Sequence, residues 1–252
     1  MSAPATHTET AAAVVRRPTD TRVTRALGIA TLIGLGWFVT FGLFLSPDDA
    51  VQLAGVRILY LHVPSAWLAY LAFIVTAISS AAYLSKRTRS LTWDRLAGAS
   101  AEVGVLFMGI TLLTGSLWGR MSWGVYWVWD SRVTTTAFLF VTYLGYLAVR
   151  GLGGSHHQRA RRSAVVALLS VLEIPLVHFS VEWWRPLHQQ ESIAKGKLEG
   201  LMLFSLFIGV VVFTLMYVWL VMHRQRVLAM EDALDDHGLE FAIAERREEA
   251  LF

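Results

Sequence analysis

The chain has 252 residues, 55% of them hydrophobic and only 16% charged, with a mean hydropathy of +0.49. That is too apolar for a water-soluble domain, and it predicts an all-α polytopic membrane protein. The net charge of +3 does not point to nucleic acid, because the basic residues lie between apolar stretches; the absence of cysteine excludes disulfides, thiolate metal ligands and thiol redox steps.

Residues 1–25 are polar, rich in alanine and threonine, and carry Arg16, Arg17, Arg22 and Arg25. They are expected to form a disordered cytoplasmic lead-in. The Arg16-Arg17 pair is followed by a full-length apolar span rather than a short one with a cleavage site, so an uncleaved start is expected. Six apolar segments follow, at 26–45, 58–84, 97–117, 134–149, 163–181 and 198–222. Each is near the ~20 residues that a ~30 Å hydrocarbon core requires. They are continuously apolar rather than alternating, which predicts six transmembrane helices and not barrel strands.

Sixteen of the lysines and arginines fall on one side of this layout and six on the other, Arg57, Arg120, Arg132, Arg185, Lys195 and Lys197. The positive-inside rule then makes both termini cytoplasmic and puts residues 118–132 on the outer face. The expected organisation is a lead-in over 1–25, a six-span domain over 26–222 and a cytoplasmic tail over 223–252.

The outer connection 46–57, with Pro47 and two aspartates, reads as an ordinary loop. Pro64 is placed near the start of the second helix, where its missing N–H would be unpaired anyway. Residues 85–95 read as a solvated charge run, and residues 151–157 as a flexible turn with His156 and His157 in solvent. The fifth span holds Glu173, Pro175 and His178. An ionisable group inside a membrane is a functional suspect; the structural alternative is a Glu173 that is protonated or paired with a neighbouring helix. Residues 231–249 carry eight acidic residues among Leu, Phe and Ala. They are expected to be a mostly solvated tail, with a short surface helix as the alternative.

Trp118, Trp123, Trp127 and Trp129 are four of the chain's ten tryptophans, gathered within twelve residues and followed by Asp130 and Arg132. Tryptophan is enriched in belts at membrane interfaces. Rings at this density also offer a broad surface for a large planar ligand. Depth bears on that choice. His178 lies about 22 Å along the fifth helix, at ~1.5 Å per residue, and His62 is four residues into the second span. Both imidazoles fall at the level of the tryptophans. Paired imidazoles beside an aromatic platform suit the iron and the plane of a haem. Its propionates would need cations at a wet interface, and Arg57, Arg120, Arg132 and Arg185 are available. Asp130 cannot pair with a propionate; it is expected to orient an arginine or to cap the fourth helix. Without cysteine, no thioether can attach haem to this chain.

Three motifs carry a family resemblance: Leu61-His62-Val63-Pro64; the tryptophan run 118–130 continuing to Arg132; and His178-Phe179-Ser180-Val181-Glu182-Trp183-Trp184 with Leu187-His188-Gln189. Together they resemble the haem exporter protein C family, haem-handling membrane proteins of the bacterial cytochrome c maturation system. The resemblance implies that the tryptophan run, the WWD segment, binds haem at the outer face of the cytoplasmic membrane. It implies that His62 and His178 are the axial ligands, and that haem is presented to a periplasmic haem chaperone. The implied partners are an ATP-binding-cassette ATPase with its membrane subunit and a small single-span subunit, with ATP hydrolysis releasing the loaded chaperone. Two positions depart from the family pattern. Tyr126 stands where a tryptophan is common, and Val133 where a leucine is common.

The expected ligand is therefore haem b, held non-covalently and transiently between His62 and His178, with its apolar edge on Trp118, Trp123, Trp127 and Trp129. Two imidazoles leave no open coordination position, which suits carriage rather than enzymatic chemistry. Transfer requires one of them to be exchanged, and nothing in the sequence chooses between them. The alternative from another class is an electron-transferring membrane b-type cytochrome, although such proteins hold haem deep between helices and both histidines here lie at one edge. A transport subunit whose tryptophans form only a belt is the third reading. Ligase-type relatives are much longer and carry more spans.

Overall fold

The computed structural model describes residues 21–49, 52–184 and 200–249. Among them there is no strand, only an isolated bridge between Asp49 and Leu53. Helix α1 covers Arg22–Val39 and continues as a π-helical turn, Thr40–Leu45; a 3-10 turn, Ala54–Val56, leads into α2, Arg57–Leu84. Then come α3 (Leu91–Trp123), α4 (Ser131–Arg150), α5 (His156–Ser170), α6 (Glu173–Trp183) and α7 (Gly200–Glu249). Among the described residues, six helical stretches are long and apolar enough to cross a membrane, with α5 and α6 together making the fifth. The expected six-helix, all-α membrane architecture is present.

Hydropathy located the spans, but side-chain capping sets where the helices end. Thr21 and Thr24 form a capping box, so the backbone is helical from Arg22. That corrects the expected disorder over 21–25; residues 1–20 lie outside the described residues. The Ser90 hydroxyl accepts the Thr92 amide, which starts α3 six residues before the predicted span. The Asp130 carboxylate accepts the Val133 amide at 2.8 Å and starts α4 at Ser131. Such caps satisfy amides that have no partner within the helix, each worth about 1 kcal/mol.

Four further expectations are corrected. Pro64 lies well inside α2, past its first turn, so it interrupts the helix ladder rather than opening it. The fifth span is broken at Val171 and Leu172, between α5 and α6. Pro175, which has no amide to offer the Val171 carbonyl, is the cause. His156 and His157 are not in a solvated turn but open α5. There His157 Nδ1 lies 3.1 Å from the Tyr83 hydroxyl, and His156 Nε2 lies 3.0 Å from Asp236. The tail is no separate segment either. Helix α7 runs without a break to Glu249, about 75 Å at ~1.5 Å per residue.

Helices α2 and α3 form the central pair, and α7 packs against α1, α2 and α3. Their contact faces are rich in small residues: Ala69, Ala72, Ala99 and Ala101 are fully buried. Small side chains let helix backbones approach where lipid supplies no hydrophobic drive between helices. Aromatic rings fill the remaining space. Phe73 stacks on Tyr143, and Phe213 meets Phe38 and Phe107 edge-on. Large apolar side chains at mid-helix positions such as Ile78, Leu106, Leu113, Phe138 and Val141 point outward. An apolar exterior of this kind is what a lipid-facing surface requires.

The bundle has two unlike ends. At one, the ends of α3 and α6 and the start of α4 gather the tryptophans. At the other, the starts of α3 and α5, the end of α4 and the middle of α7 gather the charges.

Candidate haem site at the tryptophan end

Trp118 and Trp123 are helical, because α3 runs six residues further than hydropathy predicts. The helix stops at Gly124, whose φ of +78° is left-handed backbone that a side chain would strain. Residues 125–130 then cross to the cap at Asp130. The Ser116 hydroxyl donates to the Tyr126 carbonyl at 2.7 Å, folding this connection back over the end of α3.

Beneath it is a cavity of about 100 Å³ whose walls include His62, Thr111, Trp123, Tyr126, Trp127 and Arg132. Apolar depth is added by Tyr70 and Met108. Trp118 and Trp129 reach this group through ring contacts. Trp118 meets Trp123 edge-on at 5.5 Å, and Trp129 meets Trp127 edge-on at 5.4 Å. The Trp118 indole also donates to the Gln52 side chain at 3.1 Å, which ties the loop before α2 to α3. Trp129 is 78% exposed and Tyr126 59%. A cavity this small cannot enclose a porphyrin, since pockets for ligands of that class run to roughly 300–1,000 Å³. The residues fit haem in another way: an imidazole and a guanidinium at a small opening, bordered by an open aromatic surface.

His62 is half-buried, and its Nδ1 lies 3.1 Å from the Thr114 hydroxyl on α3. His178 differs. It is exposed on α6, meets the ring of Phe179 edge-on at 5.0 Å, and is not among the residues lining the cavity. Its link to the cavity is Arg132, whose Nη2 donates to the His178 carbonyl at 3.0 Å and whose Nε donates to the Ser180 hydroxyl at 3.2 Å. Together with a hydrogen bond from Ser131 to the Ser180 carbonyl, these contacts fasten α6 to the start of α4.

The other cations are placed apart. Arg57 pairs with Asp48 at 3.2 Å, both partly exposed. Arg120 donates to the Gly124 carbonyl and lies over the Tyr126 ring, 5.7 Å from its centroid. Arg185, His188 and Gln189 lie outside the described residues. Asp130 takes the helix-capping role expected of it. Glu173 stands at the α5–α6 break, where one buried carboxyl oxygen has no hydrogen-bond partner among the described residues.

The sequence pattern thus found His62, Trp123, Trp127 and Arg132, which share one cavity, but not the wall that holds His62. That wall is Thr111, Thr114 and Gly115. With Trp118 they fall at i, i+3, i+4 and i+7, one face of a helix. Spacing alone could have grouped them, although nothing in it says which histidine they meet.

Comparisons with known proteins identify the family. The family profile described as Heme exporter protein C matches residues 7–238. The chain is 38% identical to the Heme exporter protein C of Bradyrhizobium diazoefficiens over 205 residues, covering 79% of this chain and 76% of the relative. Against the protein of the same name in Haemophilus influenzae, identity is 35%, over 81% of this chain and 83% of the relative. A putative cytochrome c biosynthesis ccmC-like mitochondrial protein of Marchantia polymorpha is 37% identical over 65% of this chain and 71% of its own length. The chain belongs to the Heme exporter protein C family.

Proposed function

We propose that this protein binds haem b non-covalently and transiently at its tryptophan end, on the outer face of the bacterial cytoplasmic membrane, and delivers it to a periplasmic haem chaperone for cytochrome c maturation. The observation that carries this reading is the cavity shared by His62, Trp123, Trp127 and Arg132. Haem is the cargo, and its iron is the acceptor for two imidazoles, His62 and His178. Trp118, Trp123, Trp127 and Trp129 supply the apolar surface, which is open rather than enclosed and so permits a large ligand to leave. Arg57 and Arg132 serve the propionates. The Arg132 hydrogen bonds go to neutral acceptors, and a carboxylate can replace these with a stronger, charge-assisted pair. The lysine and arginine bias supports the outward orientation.

The two histidines are held unequally, and that supports a division of labour. His62 is anchored to α3, whereas His178 is exposed. His62 is the retained ligand, and His178 is the one exchanged when the chaperone takes the haem. Only coordination bonds to the iron are exchanged and the porphyrin leaves unaltered, so the proposed role is carriage and not catalysis. An ATP-binding-cassette ATPase with its membrane subunit, and a small single-span subunit, complete the complex.

The test is the absorption spectrum of detergent-purified protein. A six-coordinate b-type spectrum is expected in the wild type. His62→Ala should abolish it, and His178→Ala should leave a five-coordinate species at lower occupancy. Unchanged occupancy in both variants would sink the ligand assignment, and reversible reduction by quinone without haem-dependent crosslinking to a periplasmic acceptor would favour an electron-transferring cytochrome b.

A further inference from the structure

We infer that Thr114 fixes the tautomer of His62 and so selects Nε2 as the nitrogen offered to iron. The inference rests on His62 being a haem ligand. It turns on a proton count at one hydroxyl. Thr114 Oγ1 lies 2.7 Å from the Ile110 carbonyl and 3.2 Å from the Thr111 carbonyl. Carbonyl oxygens only accept, so the single hydroxyl proton is committed to the backbone of α3. Toward His62 Nδ1, 3.1 Å away, the same oxygen has only lone pairs to offer. The imidazole must therefore carry its proton on Nδ1. A neutral imidazole protonated there has its lone pair on Nε2, the arrangement a metal needs.

Gly115 supports the same geometry. A Cβ at this position would stand 3.1 Å from His62 Cε1 and 3.6 Å from Nδ1. The Cε1–Nδ1 edge of the ring is thus laid against the helix backbone, closer than an alanine would comfortably allow. Thr111 and Gly115 line the cavity along with His62, so α3 fixes the ring on one side while the cavity lies beside it. Thr114 is a positioning residue that acts through His62. A histidine that donates its second ring N–H is a stronger and better oriented ligand, and removing such a partner typically lowers metal affinity about 10–100-fold.

The deciding measurement needs no haem. Protein carrying isotope-labelled histidine, purified in detergent, reports the tautomer from its ring carbon and nitrogen shifts, with His62 assigned by subtraction of His62→Asn. The Nδ1–H form is expected in the wild type and in Thr114→Ser, and a mixture of both tautomers in Thr114→Val. Haem titration should then show Thr114→Val weakened about 10–100-fold and Thr114→Ser close to wild type. An Nε2–H tautomer in the wild type, or a Thr114→Val protein with unaltered tautomer and affinity, overturns the inference. If Thr114→Val does not fold, the wild-type tautomer decides alone. A wild type that takes up no haem would defeat the proposed function while leaving the tautomer assignment to stand or fall on its own spectrum.

Discussion

The two ends of the bundle use arginine in opposite ways. At the charged end, Arg150 on α4 donates to both carboxylate oxygens of Asp94 on α3, at 2.6 and 2.9 Å. Arg159 on α5 joins Asp94 to Asp232 on α7, at 3.3 and 2.9 Å, and Arg95 reaches the other oxygen of Asp232 at 3.2 Å. Asp94 and Arg150 have side-chain exposures of only 2% and 8%. Gly98 belongs to the same device, since a Cβ there would fall 2.5 Å from the Arg150 guanidinium. Four helices are thereby clasped in one network of ion pairs. At the tryptophan end, Arg57 meets Asp48 in a partly exposed pair, the hydrogen bonds of Arg120 and Arg132 go to carbonyls and a hydroxyl, and the rings of Tyr126, Trp127 and Trp129 stand exposed. Burial with carboxylate partners makes the first end a structural clasp. Exposure with neutral acceptors leaves the second end with attraction still to be satisfied, as a carboxylate-bearing ligand would satisfy it.

Substitutions can break this contrast. The largest effect is expected from Asp94→Leu, which strands Arg150 in a buried site and should destabilise the protein by about 3–5 kcal/mol. Thermal unfolding in detergent measures this, and Asp94→Leu combined with Arg150→Met should recover most of the loss. A destabilisation within about 0.5 kcal/mol for the single variant, typical of an unremarkable surface site, would mean that the network is not a clasp. Asp130→Ala removes the cap of α4 and should cost about 1 kcal/mol. Because α4 also carries Arg132, haem retention should fall in the same variant. The smallest effect on stability is expected from Trp129→Ala, within about 0.5 kcal/mol because the ring is so exposed. Its haem retention should nevertheless drop. A Trp129→Ala protein that loses stability but keeps haem would reverse the role assigned to the tryptophan end.

Legibility differed between the ends for physical reasons. The tryptophan run is local in sequence, so its density was visible without a fold. The clasp is not local. Asp94 and Arg150 are 56 residues apart, and Arg159 and Asp232 are 73 apart. Charges near span ends looked like topology signals and solvated runs, and only packing turned them inward. Glu102 and Arg224 were missed for the same reason, although Arg224 Nη2 lies 3.0 Å from the Glu102 carboxylate across 122 residues. The break in the fifth span was readable in principle from Pro175. The unbroken course of α7 past residue 222 was not, because falling hydropathy marks the end of a span and not the end of a helix.

Apolar length determined six helices, since a bilayer leaves a chain few other ways to satisfy its backbone; the orientation stays an expectation from the lysine and arginine distribution. Residue chemistry suggested the side chains that the proposal assigns to haem. Tertiary structure alone decided that His62 lies against Thr114 and Gly115 while His178 stands exposed. Two histidines at the same depth look equivalent along a chain. What separates them is which neighbouring helix stands beside each, and that is settled by packing between segments far apart in sequence.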